Sequence, residues 1–291
     1  MEIGSRDTGG SDALLGEVFA GCYRVRRKLG RGGMGEVYLA EKTTAEGRLV
    51  ALKLLHRELL ADLKMMARFQ REARAAARIV HDNVTALIDF GHSELGVPYL
   101  AMEYVEGETL SQVIEREGGP LPERRALRVL AQIAAGLAAA HDVGVVHRDL
   151  KPSNVMLCAG GDDVVKILDF GLAKILPEAS MMLSTVGSVL GTPGYMSPEQ
   201  LVGDALDARS DLYSFGLLAL YLLTARAPYE GASLERVARQ LETAPASLQW
   251  LPEGTDAVLR GLVEDCLQRS PADRPNDAHA VVSRLRALGA A

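Results

Sequence analysis

Cysteine is scarce in this chain: three in 291 residues, at Cys22, Cys158 and Cys266. An odd, scattered set builds no disulfide framework and has no metal-ligand spacing, and it fits a reducing cytoplasm. Positive charge is not in surplus either. The formal net charge of −6 argues against DNA, RNA or an anionic membrane as the main partner. The longest apolar run, Leu212 to Leu223, is interrupted by Ser214 and Gly216. It falls short of the ~20 residues that span a bilayer, so a buried helix is predicted there. Residues Met1 to about Gly16 lack periodicity and lack a basic stretch followed by an apolar core, which reads as a flexible leader and not a secretory signal. Internal repeats and long low-complexity tracts are missing. So is any G-x-x-x-x-G-K-[ST] string, which disfavours a P-loop NTPase. A chain of this length can bury a large core.

What is present is concentrated in a few short segments. His147-Arg148-Asp149-Leu150-Lys151-Pro152-Ser153-Asn154 packs a base, a cation and a metal ligand into one loop. An Asp can accept a hydroxyl proton, a Lys can neutralise charge on a moving phosphoryl group, and an Asn five residues past the Asp can hold magnesium. Singly, these residues fit a charged surface turn; the whole string is far more specific. Downstream, Val164 to Leu168 reads as a short strand running into Asp169-Phe170-Gly171, a second carboxylate at a strand end. Upstream, Leu29-Gly30-Arg31-Gly32-Gly33-Met34-Gly35-Glu36-Val37 carries G-x-G-x-x-G, where backbone amides can approach phosphate. Its flanks, Tyr23–Leu29 and Glu36–Ala40, look like two strands of a hairpin, unlike a Rossmann crossover. A third strand, Leu49 to Leu55, places Lys53 in an apolar run, where its ammonium needs an acid or a phosphate. Candidate acids are Glu72, on a helix predicted over 67–77, and Glu58. Arg68, Arg71, Arg74 and Arg78 recur at helical steps and read as a solvated face ahead of a nucleic-acid patch. His141 and His147 have no nearby His or Cys cluster to make them metal ligands.

In order and spacing these segments resemble the eukaryotic-type protein kinases, and most closely the bacterial Hanks-type serine/threonine branch. The resemblance spans roughly Tyr23 to Leu288. It implies an α+β, two-lobed protein kinase fold: a small, mostly β N-lobe with one regulatory helix (about 17–102), a hinge (about 103–107) and a larger, mostly α C-lobe (about 108–291). By that resemblance Asp149 is the catalytic base, Lys151 reaches the γ-phosphate and Thr192 hydrogen-bonds Asp149. Lys53 holds the α and β phosphates and pairs with Glu72, which outranks Glu58 on family spacing. The ATP site is implied at Leu29, Gly30, Gly32, Gly33, Gly35, Val37, Ala51, Lys53, Met102, Glu103, Val105 and Met156, with Met102 as gatekeeper and Val37, Ala51 and Met156 around the base. Asn154 and Asp169 are the implied ligands of Mg2+, with Mn2+ as an alternative. Two structural roles are implied as well: Glu199 pairs with Arg274, and Asp211 braces the catalytic loop. Ser197 stands where Ala is usual, and Tyr213 where Trp is common.

The segment from Asp169 to Glu199 reads as the switch. Arg148 beside the base wants an anion, and phosphorylation of Thr185, with Ser184 and Ser188 as alternatives, would supply one. Implied partners are proteins bearing Ser or Thr, and a homodimer for trans-autophosphorylation. Many such kinases continue into a juxtamembrane linker, a spanning helix and an outer sensor. This sequence stops at Ala291, so a soluble kinase or an excised domain is expected. A pseudokinase scaffold is disfavoured because Lys53, Asp149, Asn154 and Asp169 are all in place. An aminoglycoside- or choline-type kinase is disfavoured by Lys151-Pro152 and the 191–199 segment.

Overall fold

The computed structural model describes residues 14–44, 47–57, 63–170, 193–228 and 246–289. Glu58, the segment 171–192 and most of the leader lie outside the described residues. The chain divides into two units, Met1–Ala73 with Ala86–Tyr104, and Arg74–Thr85 with Val105–Ala291.

The first unit is built on a six-stranded antiparallel sheet in the order β1-β2-β3-β4-β6-β5. Its strands are β1 (Val18–Phe19), β2 (Tyr23–Gly32), β3 (Gly35–Lys42), β4 (Arg48–Leu55), β5 (Leu87–His92) and β6 (Pro98–Glu103). The predicted hairpin is present and longer than its apolar pattern suggested, because β2 and β3 stay paired up to Gly32 and Gly35. Period-2 alternation places Tyr23, Val25, Tyr38, Ala40, Val50, Leu52 and Ala101 in one core. Within it, the Tyr23 and Tyr99 hydroxyls donate to Asp89 Oδ2 at 2.7 and 3.2 Å. Burial first, and then the Asp89 charge, push the Tyr23 phenol far up and the Tyr99 phenol to about 12, so both stay neutral donors. Helix α1 (Leu63–Ala76) buries Phe69, whose ring meets Phe90 and His92 of β5 edge-on. Arg71, Arg74 and Arg78 are exposed, as a solvated face requires.

The second unit is mostly helical. A three-stranded antiparallel sheet, β7 (Gly107–Thr109), β8 (Val155–Cys158) and β9 (Val165–Ile167), sits beside α2 (Leu110–Glu117) and α3 (Glu123–Asp142). Beyond it in the chain come α4 (Pro198–Val202), α5 (Ala208–Thr224), α6 (Ala257–Cys266) and α7 (Ala278–Ala287). Side-chain caps start these helices: a Thr109/Gln112 box on α2, and Asp207, Asp256 and Asp277 on α5, α6 and α7. The predicted buried helix is α5, which is buried continuously from Ser210 to Leu220. Its Gly216 lets α6 come close, since a Cβ there would lie 2.9 Å from Leu267 Cγ and 3.0 Å from Cys266 Cβ. Cys266 is wholly buried, and burial pushes its thiol up to about 12. Among the described residues no helix is long and apolar enough to cross a membrane.

Residues 83–85, which belong to this second unit, run alongside β9: Ile167 N–H donates to the Asn83 carbonyl (2.9 Å) and Thr85 N–H to the Ile167 carbonyl (3.0 Å). Gln132 of α3 clamps the same strand, its Oε1 accepting from Asn83 Nδ2 and Val165 N–H, each at 3.0 Å, and its Nε2 donating to the Asp163 carbonyl at 2.9 Å. The strand that delivers Asp169 is therefore tied to α3.

Candidate active site

The loop 147–154 leaves α3 and enters β8, and its backbone is held from beneath by a single buried carboxylate. Asp211 Oδ2 accepts from the His147 N–H at 2.7 Å and Oδ1 from the Arg148 N–H at 2.8 Å. His141 Nε2 lies 2.8 Å from Oδ2. Burial alone would raise the Asp211 carboxyl; the His141 contact, the nearby His147 and the Arg148 amide outweigh it and hold the group below the usual carboxylate range. Asp211 thus braces the loop, as its position in the sequence suggested.

His147 is fully buried, with Nε2 2.8 Å from the Leu168 carbonyl and its ring 4.7 Å from that of Phe170. Its Nδ1 accepts the Asp149 N–H at 3.2 Å, which assigns the proton to Nε2. Leu150 is also fully buried, so the loop is pinned on both sides of Asp149.

Around Asp149 the predicted polar groups converge. Lys151 Nζ donates to Oδ1 and Oδ2 at 3.0 and 2.8 Å. Asn154 Nδ2 donates to the Asp149 carbonyl at 2.8 Å and to Oδ2 at 3.0 Å. A carboxylate offers about four acceptor positions, so these contacts leave room on Oδ1 for one more donor. Side-chain exposure of 31% keeps Asp149 within reach of solvent. Asn154 and Asp169 come to the same end of the β8–β9 pair, because Val155 pairs with Ile167 and Leu168 N–H donates to the Asn154 carbonyl at 2.9 Å. Asp169 has a φ of +60°, and Arg148 one of +70°.

In the first unit, the register gathers a second set. Val37 pairs with Lys53, Leu39 with Ala51, Ala51 with Met102 and Lys53 with Leu100, so Val37, Ala51, Lys53 and Met102 share the sheet face opposite the core. Lys53 and Glu72 are both buried, and Glu72 Oε1 accepts from Arg71. Gly30, Gly32 and Gly33 are exposed at the hairpin end and Leu29 is half-buried. Gly35 is different: its φ is +151° and a Cβ there would lie 1.9 Å from the Leu54 carbonyl oxygen, so its smallness serves the close β3–β4 approach. Glu103 ends β6, with Val105 just beyond, and Met156 lies half-buried in β8 of the second unit. Thr192, Ser184, Thr185 and Ser188 lie outside the described residues.

Below the loop, Glu199 and Arg274 form the expected buried pair, bidentate at 2.7 and 2.8 Å. Burial pushes the Glu199 carboxyl up, but the Arg274 bonds, with smaller help from Ser210, bring it below its ordinary range. Two residues escaped the sequence reading. His141 reaches Asp211 across 70 positions, a separation no local pattern reveals. Gln200 donates from Nε2 to the Arg148 carbonyl at 2.7 Å; the Ser197-x-x-Gln200 spacing signals a capping box, not this second bond.

The protein kinase domain model matches residues 23–285. The chain belongs to that family. Its kinase domain is 41% identical over 285 residues to serine/threonine-protein kinase pkn3 of Myxococcus xanthus, covering 96% of this chain and 52% of that protein. It is 44% identical over 283 residues to pkn2 of the same organism, covering 94% of this chain and 33% of that protein. The chain thus spans between a third and about half the length of these relatives. The crystal structure of the Mycobacterium tuberculosis PknI kinase domain is similar at a TM-score of 0.74 and 31% identity, covering 94% of this chain and 98% of that one. The fold is accordingly the α+β protein kinase fold, with a sheet-rich first unit and a helical second. Kinases of this family use ATP and a divalent metal ion.

Proposed function

We propose that the protein transfers the γ-phosphoryl group of ATP to Ser or Thr hydroxyls of proteins. The observation that carries this is the Asp149 carboxylate, accessible, with acceptor capacity left on Oδ1, and with Lys151 Nζ bonded to it at 2.8 Å. Asp149 orients the acceptor hydroxyl and takes its proton as the new O–P bond forms, while the bond from the γ-phosphorus to the β–γ bridging oxygen breaks and ADP leaves. Lys151, already beside that carboxylate, offsets the charge on the transferred group. In this reading Lys53 pairs with Glu72 and steadies the α and β phosphates, while Val37, Ala51, Met102 and Met156 take the adenine base and Glu103 and Val105 bind it through the backbone. Gly30, Gly32 and Gly33, with no side chains, let backbone amides approach the phosphates beside Leu29.

The donor set at Asn154 and Asp169 fits magnesium. Both are hard oxygen ligands, and Asn154, spending its amide N–H groups on Asp149, leaves its amide oxygen to coordinate. Magnesium, or manganese in its place, would supply charge neutralisation between phosphate oxygens there. We further propose that phosphorylation at Thr185, or at Ser184 or Ser188, activates the enzyme, and that trans-autophosphorylation uses a homodimer. The three free cysteines support a cytoplasmic setting.

The test is incubation with labelled ATP and magnesium beside an Asp149→Asn variant, with a generic protein substrate and phosphosite mapping. Label on Ser or Thr with the native chain, and at least about a thousandfold less with the variant, is expected. Equal labelling, or label on Tyr or a small alcohol instead, would overturn the reading.

A further inference from the structure

Arg148 has a left-handed backbone, with φ at +70°, directly before the base. For a residue with a Cβ this conformation is strained, and it persists only where the surroundings over-determine it. Two side chains do so, from two different helices. Asp211 of α5 takes the Arg148 N–H at 2.8 Å. Gln200 of α4 gives its Nε2–H to the Arg148 carbonyl at 2.7 Å. That carbonyl belongs to the peptide joining Arg148 to Asp149, so its orientation sets where the Asp149 carboxylate points.

The Gln200 amide cannot turn over. Its Oε1 accepts from the Ser197 N–H at 2.9 Å and from the Ser197 hydroxyl at 3.2 Å. A flip would set the NH2 group against those donors and an oxygen against the Arg148 carbonyl. Ser197, fully buried, therefore has a use for its hydroxyl that Ala could not supply.

Resting on the phosphotransfer reading, we propose that Gln200, oriented by Ser197, is a positioning residue for the reaction. It fixes the peptide that carries Asp149 and links the placement of residues 193–200 to that of the base. When the segment ending at Ser197 shifts, the grip on the Arg148 carbonyl shifts with it, and the base loses alignment while the nucleotide-binding residues of the first unit are untouched.

Gln200→Glu separates this role from simple capping. A capping box accepts Glu as readily as Gln at that position, so a residue that only capped α4 would tolerate the change. A positioning residue would not, because a carboxylate has no donor for the Arg148 carbonyl. The expected result is a fall in kcat of about tenfold or more, with KM for ATP held within about twofold. Deuterium exchange should rise more at the Arg148 and Asp149 amides than at those of α6 and α7, which a general loss of stability would move alike. Ser197→Ala, which keeps the Nε2 bond but releases the amide, should show a smaller fall in kcat and a smaller rise in exchange. Native kcat with unchanged exchange in Gln200→Glu would overturn the proposal; if that variant does not fold, the same outcome in Ser197→Ala would. Exchange does not depend on turnover, so a native chain that transfers no phosphate would defeat the kinase reading and leave the positioning role still decided.

Discussion

Arg274 uses all of its N–H groups. Nε bonds the Gln268 carbonyl at 2.8 Å; one terminal nitrogen bonds Glu199 Oε1 and the Arg209 carbonyl, and the other bonds Glu199 Oε2 and the Arg269 carbonyl. Its flat face lies 4.9 Å from the Tyr213 ring centroid. Lysine, with three donors on a point charge, cannot reproduce a planar fork with a stacked face. Arg274→Lys is expected to cost about 3–5 kcal/mol, the range for breaking a buried pair, and urea denaturation would measure it. A change under about 1 kcal/mol would show that the carbonyls and Tyr213 contribute little. At this scale the string 147–154 drew attention to Asp149, Lys151 and Asn154 by its residue types and spacing, whereas the Glu199–Arg274 pair was legible only through the family resemblance. Gln200 and His141 were not legible. Their partners, a backbone carbonyl and Asp211, are brought near only by packing of α3, α4 and α5.

The glycine-rich hairpin divides its labour among its glycines. No described atom lies within 4 Å of a Cβ placed at Gly30 or Gly32, whereas at Gly35 it would collide with the Leu54 carbonyl. Gly32→Ala should therefore leave stability within about 0.5 kcal/mol of native and weaken ATP binding several-fold. Gly35→Ala should cost about 1–3 kcal/mol or more by overpacking β3 on β4. Thermal melts with and without ATP and magnesium distinguish the two, and equal stability losses would contradict the assignment. The strands β2, β3 and β4 were readable from their apolar patterns, and the helix α5 from its long apolar run. The pair β7 and β8 was not, since Gly107–Thr109 holds no apolar residue and Val155–Cys158 shows no alternation. Nor was α2, which follows β7 without a loop and is announced only by Thr109 and Gln112.

Across the whole molecule, the depressed carboxylates set the response to acid. Arg125 holds Asp163 below its ordinary value and Arg209 does the same for Asp207; Glu199 and Asp211 are lowered against their own burial. A carboxylate with a lowered folded pKa stabilises fully above the unfolded value, near 4, and loses that contribution as pH falls through the folded one. His279 has the opposite sign. Asp142 raises it, so its contribution is present below about pH 6.5 and fades as pH rises; both partners are exposed and the effect is small. Urea midpoints are expected to hold steady near neutrality and drop steeply below about pH 4, with a shallower drop in Glu199→Gln. Parallel curves for that variant and the native chain would exclude Glu199 from the response. The order of sheet before helices was legible along the chain. That residues 74–85 join the helical unit was not, because it depends on Asn83 and Thr85 bonding to Ile167, which lies 82 positions beyond Thr85.

Cys266 gives the chain an internal clock. Cys22 and Cys158 are half-buried, whereas Cys266 is sealed beneath Gly216 of α5 with its thiol at about 12. Alkylating reagents attack the thiolate, so this third sulfur stays silent while α5 and α6 remain packed together. Its rate of alkylation times the opening of the helical core, with no residue changed.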